Sequence, residues 1–580
     1  MTVSFGIAEL TLADGTAVRP PADGMTLFTG PNNSGKTSLL RELVNAISQY
    51  PGVQNPCHWV RTIKIHQEGT GKELVAWLSE RGHELRFHRP TGRTLLPSRV
   101  NHDDPGVDVE TAEIHWNSTT FHLISHLLVA DQWTNERLGN QVDSHFWDQT
   151  RPPNHPAQRL WESKELHARF SHLFEKAFGE PIAINRYVPQ IRLQIGSPGM
   201  DDTPPPASPE LREAYDYLPY LAEQGDGIRA FTNILLHTLV RPAPVIFIDE
   251  PEAFLHPPQA RLLGRYLASE TPSPCQVFVA THSADFLSGA LEGSAAPQGT
   301  SARALTLVRI ARTGGTPVAR TLAADTVTEI LDTPLLRYSN IASGLFYDGV
   351  VLCEAEGDCQ FYAATFDTVR NDTPHDNLTF LHVNGKARLT DAAHKLRTCG
   401  IPVAVVTDFD FLNDATKVKQ ALLHLGGQWD EIKDDVIALQ AHASSSVIAA
   451  PAAEIKKKIN GIIGNAAGKV TLSQQQIEEI GRELKTATGW KSLKTSGLTG
   501  LMGEPHNSAM RLVEYFSRIG LFLVPVGELE CWVRSVPATN KSNWLSRVFS
   551  EGHHRHPSAE LRDFVARISD YLTIGSAERT

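Results

Sequence analysis

A chain of 580 residues with 41% hydrophobic and 21% charged residues has ordinary globular composition, which excludes a disordered or fibrous class and allows about three or four folding units. The net charge of −11 excludes a surface that binds nucleic acid throughout, so any such contact is local. Cys57, Cys275, Cys353, Cys359, Cys399 and Cys531 form no CxxC pair, which argues against a zinc knuckle or a disulfide framework. Met1-Thr2-Val3-Ser4-Phe5-Gly6 has no basic start ahead of an apolar run, and no stretch is apolar for long enough to span a bilayer. A cytoplasmic protein with no membrane partner is expected.

From residue 1 to about 330, β-type runs such as Ile7–Leu12 and Val277–Ala280 alternate with helical stretches, the pattern of an α/β domain. Directly after the apolar Met25–Phe28 comes Gly30-Pro31-Asn32-Asn33-Ser34-Gly35-Lys36-Thr37, a full match to GxxxxGK[ST], and Ser38 begins a helical run. Such a loop wraps phosphates with backbone N–H groups, Lys36 neutralises the outer phosphates and Thr37 holds Mg2+, so ATP is the expected ligand. Segments 96–116, 196–209 and 289–300 are rich in Pro, Asp, Gly or Ser and read as loops. Gln224-Gly225-Asp226-Gly227 opens a helix with a glycine-rich N-terminus suited to a phosphate. The buried-type strand Val245–Ile248 ends in Asp249-Glu250, which places Asp249 to hold Mg2+ and Glu250 to deprotonate the attacking water. A further strand, Val277–Ala280, delivers Thr281-His282-Ser283, with His282 expected near the γ-phosphate. Gln67 is the candidate for a nucleotide-sensing glutamine.

A second α/β unit begins near Tyr347–Leu352 and returns at Val403–Val406 and Leu521–Val526, with a mostly polar, helical insertion over about 415–515. Each strand ends in acids: Glu354 followed by Asp358, Asp408-Phe409-Asp410, and Glu528-Leu529-Glu530. Acids at alternate positions of an extended segment face one way, and three such ends in one domain repel unless cations sit among them. In the insertion, Lys456, Lys457, Lys458, Arg482, Lys485, Lys491 and Lys494 lie near Trp490, either a phosphate-binding patch or a solvated helix face. His553-His554-Arg555-His556 reads as loop rather than a metal site.

The order of phosphate loop, glycine-rich helix start, Asp-Glu strand and strand-end His resembles that of ABC-type ATPases. Asp249-Glu250-Pro251-Glu252-Ala253-Phe254-Leu255-His256-Pro257 is similar to the version shared by structural-maintenance, recombination-repair and OLD-family proteins. The resemblance implies a homodimer or higher homo-oligomer with ATP sandwiched between ATPase domains, Gly225, Asp226 and Gly227 completing the partner's site. Gly225-Asp226-Gly227-Ile228-Arg229 lacks the Ser-Gly-Gly of transporters. The second half, Glu then Asp-x-Asp after apolar strands, resembles the Toprim domain. Fused behind such an ATPase, it resembles the OLD (overcoming lysogenization defect) nucleases, including the nuclease subunits of Gabija phage-defence systems.

The resemblance therefore implies an ABC-type ATPase over 1–335 and a Toprim nuclease over 345–580. Glu354, Asp358, Asp408, Asp410, Glu528 and Glu530 would hold two Mg2+ or Mn2+ ions. The catalytic lysine expected late in the domain falls on Lys541 by position, with Arg534 and Lys386 as alternatives. Ala355 stands where the family has Gly, and Glu356 is an extra acid. The expected activity is ATP-dependent, metal-dependent cleavage of DNA in anti-phage defence, with a second defence protein encoded nearby as a partner. The alternatives are a nuclease cutting host RNA such as tRNA, and an ATPase scaffold whose Toprim module does not catalyse. A coiled-coil structural-maintenance protein is disfavoured because residues 36–225 carry no sustained heptad. A topoisomerase is disfavoured because Tyr347 and Tyr362 merely flank the metal loop.

Overall fold

The computed structural model describes residues 3–49, 58–80, 83, 85–89, 91–96, 106–139, 142–147, 149, 153, 155–200, 206–240, 243–295, 303–313, 315–332, 340–369, 377–383, 386–445, 452–464, 471–474, 476–478, 480, 489–537 and 541–574. The chain divides into two compact units, Met1–Glu329 and Ile330–Thr580. Among the described residues no helix is long and apolar enough to cross a membrane.

In the first unit the strands that bear on the site are β1 (Ser4–Leu12), β2 (Gly24–Thr29), β3 (Val60–Glu68), β4 (Val129–Gln132), β5 (Val245–Asp249), β6 (Gln276–Ala280), β7 (Ala304–Thr313) and β8 (Thr316–Leu322). Six of them form one sheet in the order β8-β7-β2-β6-β5-β4, parallel except for the β7–β8 hairpin. Every residue of β2, β5 and β6 is buried, as continuous apolar runs in a parallel sheet covered on both faces require. Phe247 and Phe278 stack at 5.0 Å between neighbouring strands. β1 and β3 pair antiparallel in a separate small sheet.

The helices that matter here are α1 (Lys36–Ser48), α2 (Val109–Asn117), α3 (Asp226–Leu235), α4 (Pro257–Ser269) and α5 (Ala284–Ser294). Two stretches expected to be loops are helical. Residues 109–116 lie in α2, whose first turn is capped by Asp108 accepting from the Thr111 N–H at 3.0 Å. Residues 289–294 complete α5, where the missing side chain of Gly289 lets the helix press against the Arg261 carbonyl of α4. In the first, Asp108 belonged to a loop-like Asp, Pro and Gly run yet serves as the cap; in the second, small residues with loop-like composition serve a close helix crossing.

The second unit is built on β9 (Gly349–Cys353), β10 (Leu378–His382), β11 (Val403–Thr407) and β12 (Leu521–Leu523), all parallel in the order β10-β9-β11-β12. Its helices are α6 (Glu356–Val369), α7 (Lys386–Thr398), α8 (Ala415–Leu425), α9 (Trp429–Ser445), α10 (Ala452–Gly464), α11 (Gly489–Ser496), α12 (Glu504–Arg518), α13 (Lys541–Ser550) and α14 (Ala559–Ile574). Helices α8 to α12 all fall between β11 and β12, the span read as a helical insertion. β10 went unread because Leu378-Thr379-Phe380-Leu381-His382 is a short run broken by Thr379 and ended by His382, half-buried except at Leu381 on the sheet's edge.

Candidate functional sites

Strand register gathers the first site. Asp249 pairs with Ala280, Ala280 with Phe28, and Ile248 with Gln132, so the chain leaves β2, β5, β6 and β4 at one edge of the sheet, where open α/β sheets bind ligands. The loop Gly30–Thr37 bridges β2 and α1, and Asn33 and Gly35 adopt positive φ values of 61° and 100°. A side chain at Gly35 would collide with the Trp59 indole, so the last turn of the loop needs glycine twice over.

Lys36 is buried and donates to the carbonyls of Gly30 at 2.9 Å and Pro31 at 2.8 Å, which folds its ammonium back across the loop. Burial lowers its pKa, opposed by Glu250, Glu252 and Asp249. Thr37 Oγ1 donates to both oxygens of Asp249, at 2.9 and 3.1 Å, joining the two groups expected on Mg2+. Ser34 Oγ and Gln132 Oε1 are buried and have no hydrogen-bond partner among the described residues. Buried polar atoms of this kind fit a site completed by a phosphate and its metal.

Glu250 follows with φ of 45°, a strained value for a side-chain-bearing residue, and its N–H donates to Ala280 O at 2.8 Å. His282 Nδ1 lies 3.3 Å from Glu250 Oε1 and 3.4 Å from Glu252 Oε1. The hydrogen bond from His282 holds Glu250 below the usual carboxylate range, and the same bond raises His282 against the opposing effect of burial. Glu252 is fully sequestered; burial raises its pKa, while Thr281 Oγ1 and the His282 N–H each donate to it at 2.8 Å. Asp249 is likewise raised by burial.

Two residues the sequence reading missed complete this edge. Gln132, at the end of β4, pairs with Ile248, the residue before Asp249, whereas Gln67 lies on β3 and donates to Trp116 O at 2.7 Å. Arg137 is wholly buried and donates to the backbone carbonyls of Asp249, Glu250 and Gln132. Burial lowers its pKa to about 10. The short apolar run Val129-Ala130 ending in Asp131-Gln132 was the available signal for Gln132; nothing local marks Arg137. The Gly225–Gly227 start of α3 keeps Gly225 and Asp226 exposed, with Arg229 3.4 Å from Asp226.

In the second unit, Glu354 leaves β9 and accepts from Thr407 Oγ1 and from the Asp408 N–H at 3.0 Å, tying two strand ends together. Asp358, buried on the first turn of α6, accepts from the Ala355 N–H at 3.0 Å. The centre of the cluster is Lys494 of α11. Its ammonium lies 3.4 Å from Asp408 Oδ2, 3.5 Å from Glu528 Oε2 and 3.7 Å from Asp410 Oδ2. Burial would lower the Lys494 pKa, but Asp408, Asp410 and Glu528 outweigh it and the net shift is upward.

The six expected acids therefore do not form one set. Asp408, Asp410 and Glu528 converge on Lys494, Glu354 and Asp358 sit beside them on the adjoining strand end, and Glu530 is not among the partners of Lys494. Among the described residues no group of three or more His, Cys, Asp or Glu side chains is arranged to hold a metal ion as it stands. The ammonium is the cation the carboxylates surround, and all-oxygen donors around a positive charge are the chemistry Mg2+ or Mn2+ takes. Lys494 is thus neither on a solvated helix face nor in a separate basic patch, the two readings its sequence left open, but among the carboxylates. Of that patch, Lys456, Lys457 and Lys491 are exposed, while Arg482, Lys485 and the Lys458 side chain lie outside the described residues. Lys541 and Lys386 open α13 and α7 with side chains outside the described residues, and Arg534 is exposed.

Residues 122–288 match the family model described as "AAA domain, putative AbiEii toxin, Type IV TA system". Residues 345–410 match "Overcoming lysogenization defect protein-like, TOPRIM domain". The Old nuclease of Escherichia phage P2 is 25% identical over 177 residues, covering 29% of this chain and 28% of that protein. Among solved structures, the SMC head domain from Thermotoga maritima is similar over 56% of this chain and 100% of its own, at 13% identity and a TM-score of 0.27. The ABC-transporter ATP-binding cassette MJ1267 is similar over 58% of this chain and 98% of its own, at 12% identity and a TM-score of 0.25.

Proposed function

We propose that this chain, an ATPase joined to a Toprim domain of the overcoming-lysogenization-defect type, is an ATP-hydrolysing, divalent-metal-dependent nuclease that cuts DNA phosphodiesters in cytoplasmic defence against phage. The ATPase domain is residues 1–335 and the nuclease residues 345–580. The observation that carries the nuclease is the convergence of Asp408, Asp410 and Glu528 on one ammonium beside Glu354: negative charge is concentrated on strand ends, where only cations make it tolerable.

In the ATPase, the backbone of residues 30–38 and Lys36 bind the phosphates, Lys36 exchanging its carbonyl acceptors for phosphate oxygens. Thr37 and Asp249 hold Mg2+. Glu250 takes the proton of the attacking water, and His282, now held between Glu250 and Glu252, reaches the γ-phosphate. Gly225, Asp226 and Gly227 close the partner's nucleotide site in a homodimer. In the nuclease, Glu354, Asp358, Asp408, Asp410, Glu528 and Glu530 are the ligands for two Mg2+ or Mn2+ ions, which supply an activated water and charge on the leaving oxygen when bound. Lys494, its ammonium 3.4 Å from Asp408, stabilises the phosphate as charge builds on it; Lys541, the candidate by position, has its side chain outside the described residues.

The test is cleavage of plasmid DNA and of tRNA by the purified chain in Mg2+ or Mn2+, with and without ATP, beside a double Asp408→Ala, Asp410→Ala variant. Metal-dependent plasmid cutting lost in the variant is expected. Cutting of tRNA alone replaces the DNA reading with an RNA one, and no cutting of either under any condition leaves an ATPase scaffold.

A further inference from the structure

Behind the glycine-rich start of α3, the first unit holds a cavity of about 380 Å3, in the range of small-ligand sites. Its lining is mixed in charge: Arg192 and Arg229 with Ser144 and His145, and the carboxyl of Asp143. Arg192 is held in one plane, its Nε 2.9 Å from Gln190 Oε1 and its guanidinium 4.8 Å over the Tyr220 ring. Arg229 donates to the Leu138 carbonyl and lies 3.4 Å from Asp226. A guanidinium carries five donors, so each arginine keeps capacity for a ligand after these contacts. Asp143 accepts from the Leu193 N–H at 3.2 Å and, part-buried, retains acceptor capacity of its own.

We propose that this cavity is a second ligand site, distinct from the phosphate loop, for a small hydroxylated phosphomonoester. Its phosphate lies against Arg192 and Arg229, and its hydroxyls donate to Asp143; the Ser144 hydroxyl, which donates to His145 O at 3.1 Å, only lines the wall. Two fixed guanidiniums recognise a phosphate, a carboxylate beside them rejects a second anion and selects a hydroxyl, and the volume admits a sugar phosphate or a nucleoside monophosphate. The site is wired to the nucleotide edge. Leu138 directly follows Arg137, which holds the carbonyls of Asp249 and Glu250, and Asn233 of α3 donates to Arg137 O at 3.0 Å. A ligand gripping Arg229 and the 138–139 wall therefore bears on the backbone that carries the ATPase acids, and the coupling expected from this is reciprocal, each ligand changing the other's affinity by the same factor.

The experiment is titration calorimetry on the full chain, its phosphate loop saturated with a non-hydrolysable ATP analogue and Mg2+. The probes are ribose 5-phosphate, AMP, inorganic phosphate and ribose. Binding of ribose 5-phosphate or AMP at one per chain is expected, at least tenfold tighter than phosphate or ribose, and the two positive arms separate a sugar phosphate from a nucleotide. Arg192→Gln, which removes charge, and Ala222→Trp, which fills the exposed lining, are each expected to weaken it at least tenfold while analogue binding and melting temperature stay unchanged. Because the variants act by opposite means, one that fails to fold leaves the other as the test. Absence of binding by both phosphomonoesters, or binding that survives both substitutions, overturns the site. Binding that leaves the analogue's affinity unchanged overturns the coupling.

Discussion

Arg137 is the residue on which the nucleotide edge rests. Its guanidinium supplies donors to three backbone carbonyls in a region closed to water, among them those of Asp249 and of the strained Glu250. Arg137→Met is expected to leave those carbonyls short of donors at about 1–3 kcal/mol each. The measurement is chemical denaturation beside ATP turnover; unchanged stability with full turnover would contradict the role. His282 gives a pH signature. Its folded pKa is raised above 6.5, so its bond to Glu250 stabilises the protein fully below that value and is lost as pH rises through the raised pKa. Glu250, lowered from 4.5, adds stability that disappears only as pH falls through its own folded value. Without nucleotide, the melting-temperature difference between wild type and His282→Gln should shrink as pH rises above 6.5; a constant difference would sink the assignment. Gly30–Thr37 and Asp249-Glu250 were legible because phosphate chemistry fixes residue types at close spacing. The roles of Arg137 and Lys494 were not, since the Asp249 and Glu250 carbonyls and the three carboxylates that define them lie far along the chain, and one lysine among several in a polar helix looks like solvated surface.

At the level of elements, α11 is held against the β12 exit by its backbone. The Leu498 N–H just beyond it donates to Pro525 O at 2.8 Å, Cys531 Sγ to Thr495 O at 3.2 Å, and Gly527, at φ of 111°, passes against the Lys494 carbonyl with no room for a side chain. The insertion thus delivers Lys494 to the carboxylates through contacts with the very turn that carries Glu528. Gly527→Ala combines a strained φ, worth about 1–3 kcal/mol, with a collision at Lys494. It should abolish nucleic-acid cleavage while ATP turnover remains; cleavage at the wild-type rate would show that the seat of α11 is immaterial. The insertion's helical character was readable from its polar pattern, and the unit's strand-end acids from three apolar runs. Its contribution to the site was not readable, because the partner of a helix inserted between two strands is set by tertiary packing and not by local pattern.

On the scale of the molecule, the two units divide the chemistry: one places a triphosphate loop, its acids and a glycine-rich helix start on a single sheet edge, the other a cation-centred ring of carboxylates. ATP sandwiched between two ATPase domains should make Glu250→Gln, which binds without hydrolysing, dimerise on adding ATP. Light scattering should show the mass doubling, with Lys36→Ala unresponsive; an ATP-independent mass in both would remove the sandwich. If the carboxylates around Lys494 form a divalent-metal centre, Mn2+ should bind there, as read by electron paramagnetic resonance in Lys36→Ala protein without nucleotide. Bound Mn2+ is expected, lost when Asp408→Ala and Asp410→Ala are added and tightened when Lys494→Met removes the competing ammonium. Equal Mn2+ binding with and without the two aspartates would contradict the account.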